Sequence, residues 1–291
     1  MSVPILNASG CFDALVAPDV ARSLDAFVTK TVTPLPREGN PPPRIAEVDG
    51  GMLNSIGLQN PGIDVFVSSI LPRLAELDVP IWVSVGGFSA DDYAEMCERL
   101  DAETRVSVIE LNLSCPNVEE APETAAELVT AARAATTKPL YAKLSPATWD
   151  IAENARAVAA AGADGLSLVN TIRGLALDAG TRRSKLSRGA GGYSGPALRP
   201  IALACVDACA RAVALPIVGM GGVMSGGDVL DLVSLGAGAV GLGTILFSDP
   251  LAATRIRTEL RSPGAPVTPA PRHAIHGFMP ESAPALAVST E

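Results

Sequence analysis

The chain has 291 residues, 48% hydrophobic and 4% aromatic, which suits two small domains or one α/β barrel of ordinary length. A net charge of -9 argues against nucleic acid or an anionic membrane as partner. No apolar run reaches the roughly 18–20 residues of a membrane span, and MSVPILNASG lacks a secretory n-region and h-region, so a cytoplasmic protein is expected.

Eight short apolar or β-branched runs follow one another: VPILNAS, FVTKTVT, PIWVSVGG, VSVIELNLS, PLYAKLS, GLSLVNT, PIVGMGG and AVGLGT. Helical patterns stand between many of them, at 89–100, 123–135, 150–161, 197–214, 226–235 and 250–260, with SADD as a capping signal for the first. Buried strands alternating with helices predict a parallel (β/α)8 barrel, a TIM barrel of a single domain over residues 1–261; the alternative is an open doubly wound sheet. Residues 262–291 form a Pro- and Ala-rich tail, expected to be an arm or an interface segment. The interruptions at 34–64 and 172–195 are too long for connectors and are expected to cover a ligand.

Barrel active sites lie at the C-terminal strand ends, where this chain places Ser9, Lys30, Ser84, Asn112, Cys115, Lys143, Asn170, Gly221 and Thr244. Only four residues are lysine, and Lys30 and Lys143 both sit inside apolar runs, where a desolvated ammonium is costly without an anionic partner. Period-two alternation turns Glu110, Asn112 and Ser114 to one face, into the barrel, and Lys143 on the next strand points the same way. A Glu110–Lys143 ion pair below the ligand follows as a hypothesis, with simple neutralisation of a structural lysine as its plain counterpart.

The segment GAGAVG at 236–241 matches G-x-G-x-x-G, but there the strand follows instead of preceding, so a Rossmann site is rejected. PIVGMGGV and AVGLGT end the seventh and eighth runs with glycines, a pattern that in barrels often cradles a phosphate. Five scattered cysteines without a C-x-x-C pair suggest neither a disulfide framework nor a metal site, and Cys205 and Cys209 share a helix face expected in the core. Cys115 stands apart, at a strand end beside Pro116 and between two asparagines. Both histidines, His273 and His276, lie in the tail, and a thiol with an ordinary pKa is only roughly 3% ionised at pH 7, so Lys30 or Lys143 would have to assist it. Nucleophile, proton-transfer group and inert core residue are the roles open to Cys115 on this pattern.

Nine segments in order, TKTVT, PREGNPPPRI, MLNSIGLQNPG, ELNLSCPN, AKLSP, LVNT, GGYSGPALRPIAL, PIVGMGGV and GLGT, resemble the class 1 dihydroorotate dehydrogenases, FMN-dependent barrels of pyrimidine synthesis. TRRSKLSRGAGGYSGPA is most similar to the NAD-linked catalytic subunit type, which works with an FAD and iron–sulfur electron-transfer subunit. The resemblance implies oxidation of (S)-dihydroorotate to orotate, with Cys115 as base for the C5 proton and hydride transfer from C6 to flavin N5. It implies that Lys30 is catalytic beside Cys115, and that Lys30, Asn54, Asn112, Asn117, Asn170 and Thr171 contact substrate. It likewise implies that Ser9, Lys30, Asn112 and Lys143 contact the flavin, and that Ser194, Gly195, Gly221, Gly222, Gly243 and Thr244 hold the FMN phosphate. A homodimer or heterotetramer is the implied assembly. Asp13 and the short stretch before Lys30 depart from the family pattern, as does Ser84 where asparagine is common. The other readings are an FMN enzyme acting on another dihydropyrimidine, a flavin-free phosphate-binding isomerase or lyase, and a silent ligand-binding subunit.

Overall fold

A computed structural model describes residues 3–113 and 124–261. Ser114, Cys115, Asn117 and the 262–291 tail with its two histidines lie outside the described residues.

Eight strands form one parallel sheet: β1 (Ile5–Asn7), β2 (Phe27–Val28), β5 (Ile81–Val85), β6 (Val106–Asn112), β7 (Leu140–Leu144), β8 (Gly165–Leu168), β11 (Ile217–Met220) and β12 (Ala239–Leu242). Each pairs with the next around the ring, and the parallel bridge Leu6–Ala26 joins β1 to β2, closing the barrel and setting aside the open sheet. Every residue of β5 and β7 is buried, as expected of strands covered on both faces. Alternation sorts the side chains into two layers. Leu6, Val28, Trp82, Val108, Tyr141, Val218 and Met220 fill the barrel, while Val83, Ile109, Leu111 and Ala142 meet the surrounding helices. The Trp82 and Tyr141 rings pack at 4.6 Å between centroids. Gly165 on β8 makes room for them: a Cβ there would sit 2.3 Å from the Tyr141 ring.

The closure between β1 and β2 is made largely by side chains. Asn7, fully buried, accepts from the Val28 N–H at 2.8 Å and donates to the Val28 carbonyl at 2.8 Å, so its amide replaces a ladder pair. Asp25 accepts from the Ile5 N–H at 2.7 Å and is held by Arg257 at 2.8 Å.

The predicted helices appear at Ala90–Asp101, Ala125–Ala135, Ile151–Ala160, Arg199–Ala212, Gly226–Ser234 and Ala252–Arg261. Ser89 caps the first through the Asp92 N–H, and Thr124–Glu127 and Ser225–Asp228 form capping boxes. The helix Gly226–Ser234 runs before strand β12, in agreement with rejecting a dinucleotide fingerprint at GAGAVG. Cys205 and Cys209 are buried on one helix face. Among the described residues no helix is long and apolar enough to cross a membrane.

Two sequence expectations are corrected. The run FVTKTVT is not one strand: β2 ends at Val28, and the chain leaves the ladder before Lys30 and touches it again only at the Val32–Val85 bridge. Ser84 does not line the cavity at the strand ends. It is fully buried and shares a hydrogen bond of 3.1 Å with Thr31.

The two long interruptions build one further sheet. β3 (Ile45–Val48) and β4 (Gly51–Asn54) come from the first, β9 (Ile172–Gly174) and β10 (Gly191–Ser194) from the second, in the antiparallel order β3-β4-β10-β9.

Candidate functional site

A cavity of about 510 Å³ opens among the C-terminal strand ends and is lined from the other side by the added sheet. Ser9, Lys30, Asn54, Asn112, Lys143, Asn170, Thr171, Ser194, Gly195, Gly221, Gly222, Gly243 and Thr244 all line it. Apart from Ser84, every predicted site residue within the described residues is therefore brought to one place; Cys115 and Asn117 lie outside them.

The amides are held in a chain of hydrogen bonds. Asn112 donates to Thr31 Oγ1 at 3.2 Å and accepts from Asn170 Nδ2 at 3.1 Å, and Asn170 Oδ1 accepts from the Thr171 N–H at 2.8 Å. Tyr93 donates to the Asn112 carbonyl at 2.7 Å, pinning the end of β6. Asn54 donates to the Gly192 carbonyl at 3.3 Å across the added sheet. Fixed amides of this kind present both donors and acceptors to a polar ring.

Lys143 is nearly buried, and its ammonium donates to Ser9 Oγ at 2.8 Å and to Glu110 Oε1 at 3.4 Å. The expected ion pair is present. Glu110 is fully buried and does not line the cavity, so the pair sits at its floor with only the lysine reaching up.

The glycine turns after β11 and β12 meet the end of β10. Thr244 donates to Ser194 Oγ at 2.8 Å, tying two of these turns together. Gly222 takes φ +76°, and a Cβ there would lie 2.7 Å from Arg199 Cβ, so the turn requires glycine. Backbone packed this closely forms a concave, side-chain-free surface suited to a phosphate group.

Sequence reasoning missed Cys11, Thr31, Arg173 and Arg188 as lining residues. Burial pushes the Cys11 thiol up to about 12, only partly opposed by Asn7 and Lys143, so it stays protonated and is a poor candidate for a base. Arg173 and Arg188 lie in the interruption expected to cover a ligand, which was the available signal; their direction depends on how β9 and β10 pair. With Lys30 and Lys143 they make the cavity's charged lining wholly cationic among the described residues.

Fold and cavity define a (β/α)8 barrel with a cavity at its strand ends whose charged lining is cationic among the described residues. The dihydroorotate dehydrogenase family model matches residues 1–263, and the chain belongs to that family of oxidoreductases. It is 46% identical to the "Dihydroorotate dehydrogenase B (NAD(+)), catalytic subunit" of Cutibacterium acnes, over 87% of this chain and 86% of that one. The proteins of the same name from Halalkalibacterium halodurans and Trichlorobacter lovleyi are 44% and 46% identical, over 89% and 87% of this chain and 88% and 86% of theirs. A solved structure of DHODH from Eimeria tenella in complex with ferulenol superposes with a TM-score of 0.74 at 24% identity, covering 88% of this chain and 80% of that one, and supports the fold alone.

Proposed function

We propose that the protein is the FMN-dependent catalytic subunit of an NAD-linked, cytoplasmic dihydroorotate dehydrogenase, oxidising (S)-dihydroorotate to orotate. The observation that carries this is the convergence of Asn54, Asn112, Asn170, Thr171, Lys30 and Lys143 with the glycine turns in one cavity. Bound FMN supplies the acceptor for a hydride, a pair of electrons with one proton. The side-chain-free turns at Gly195, Gly221, Gly222 and Gly243, with Ser194 and Thr244, suit its phosphate. Ser9, Lys30, Asn112 and Lys143 would contact the rest of it, and Lys143 would face the part that gains negative charge on reduction.

Substrate recognition falls to the amides. Asn54, Asn112, Asn117 and Asn170, with Thr171, would hold the ring and its carboxylate, assisted by the Lys30 ammonium. Cys115 would take the proton from C5 as C6 gives up its hydride, leaving the C5–C6 double bond of orotate. The relatives' name, catalytic subunit, supports a separate partner subunit; on this reading that partner would carry FAD and an iron–sulfur cluster, in a heterotetramer or about a homodimeric core.

Anaerobic mixing of the purified protein with dihydroorotate tests this. The flavin band should bleach rapidly in wild type and on the order of 10²–10⁴ times more slowly in Cys115→Ala, the range typical of a lost acid–base group. A yellow protein that keeps its colour would retain the flavin and overturn the substrate. A colourless one that does not take up FMN would favour a phosphate-binding isomerase or lyase.

A further inference from the structure

The Glu110 carboxylate has no place in the chemistry described above, and its surroundings are unusual. It is fully buried inside the barrel, where an isolated carboxylate is strongly disfavoured, and it does not line the cavity. Oε1 meets Lys143 Nζ at 3.4 Å, whereas Oε2 has no hydrogen-bond partner among the described residues. On the strand register Lys143 stands beside Asn112 on one side and Ser167 on the other. Neither carries a charge, so among the described residues Glu110 is the anion paired with the lysine. Lys143 in turn reaches the cavity, where its other partner is the neutral hydroxyl of Ser9 at 2.8 Å.

We propose that Glu110 is a positioning residue that fixes the Lys143 ammonium at the cavity floor and partly cancels its field there, thereby setting the reduction potential of the bound flavin. This rests on the FMN reading given above. A charge pair in a dry interior acts on its neighbours more strongly than one in water. Reduction adds negative charge to the flavin, so an uncompensated lysine favours the reduced form and an uncompensated glutamate disfavours it. Glu110→Gln preserves size and a hydrogen-bonding oxygen while removing the charge. Lys143→Met removes the opposite one.

The test is the potential of the bound FMN, measured spectroscopically against reference dyes in the wild-type protein, Glu110→Gln, Lys143→Met and the double variant. Glu110→Gln should raise the reduced-to-oxidised ratio at fixed poise about tenfold, equivalent to about 30 mV for a two-electron couple. Lys143→Met should lower it by a similar factor, and the double variant, neutral again, should return toward wild type. Opposite signs and mutual cancellation are outcomes that a merely structural role does not produce. Should Glu110→Gln fail to fold, the comparison of the double variant with Lys143→Met decides the matter, since removing the glutamate must still raise the potential. A Glu110→Gln protein that binds FMN at the wild-type potential would overturn the role of Glu110 alone. A wild-type protein that takes up no FMN would overturn the reading beneath it.

Discussion

Asn7 shows how much a single amide can carry. Its two hydrogen bonds to Val28 stand where backbone pairing between β1 and β2 is thin. In Asn7→Ala the buried Val28 N–H and carbonyl lose these partners, and an unsatisfied buried group costs about 1–3 kcal/mol. The expected loss is about 2–4 kcal/mol of folding stability, read from the midpoint and slope of urea denaturation. A loss below about 0.5 kcal/mol, the scale of an ordinary surface substitution, would mean that the seam is held by other contacts. Little of this was legible in the sequence, because the amide's partner is 21 residues away and is brought to it only by closure of the barrel. Lys143 was legible for the opposite reason. Its desolvation demands a counter-ion, and strand alternation alone points to Glu110.

The strands and most helices could be read because buried parallel strands are short apolar runs and the helices carry polar caps. The segment Ile63–Ala75 escaped notice: it is a helix in three short pieces, with a π-turn at Phe66–Ile70 and Pro72 near the start of the last piece. Its β-branched residues and proline weaken the local helical signal, and packing of Phe66, Leu71 and Leu74 into the core supplies what propensity does not. Two other helices bury thiols, Cys97 in Ala90–Asp101 and Cys209 in Arg199–Ala212, and burial pushes each from 9.0 up to about 12. The folded state therefore retains protons that the unfolded chain releases above pH 9. This contribution to stability is intact below about pH 9 and is lost as the pH rises toward 12. Each thiol adds about 1.4 kcal/mol per pH unit to the alkaline slope. Denaturant melts between pH 9 and 10.5 should give a shallower slope for the Cys97→Ala, Cys209→Ala double variant than for wild type. Equal slopes would place the alkaline sensitivity elsewhere.

For the whole molecule, the contrast of sign is the governing feature. A chain of net charge -9 repels an anion at long range, yet the cavity is lined by Lys30, Lys143, Arg173 and Arg188 with no carboxylate among the described lining residues. Lys143 is deep and paired with Glu110, whereas Arg173 and Arg188 are exposed on the added sheet and its connecting segment, where an incoming carboxylate would meet them first. Their fields are felt only within roughly 10 Å at 0.1 M salt, so they act as a local guide within a repulsive surround. Arg188→Ala should lower kcat/KM for dihydroorotate several-fold at low ionic strength, and the deficit should shrink as salt is added, because screening removes from wild type the advantage that the variant has already lost. Steady-state kinetics from about 10 mM to 300 mM salt would show it. A deficit of constant size across that range would instead assign Arg188 a direct contact with the bound ligand. In either case, the cationic entrance was legible only in part: the sequence marked the 172–195 interruption as a cover, but the pairing of β9 with β10 and β4 is what brings its arginines to the cavity.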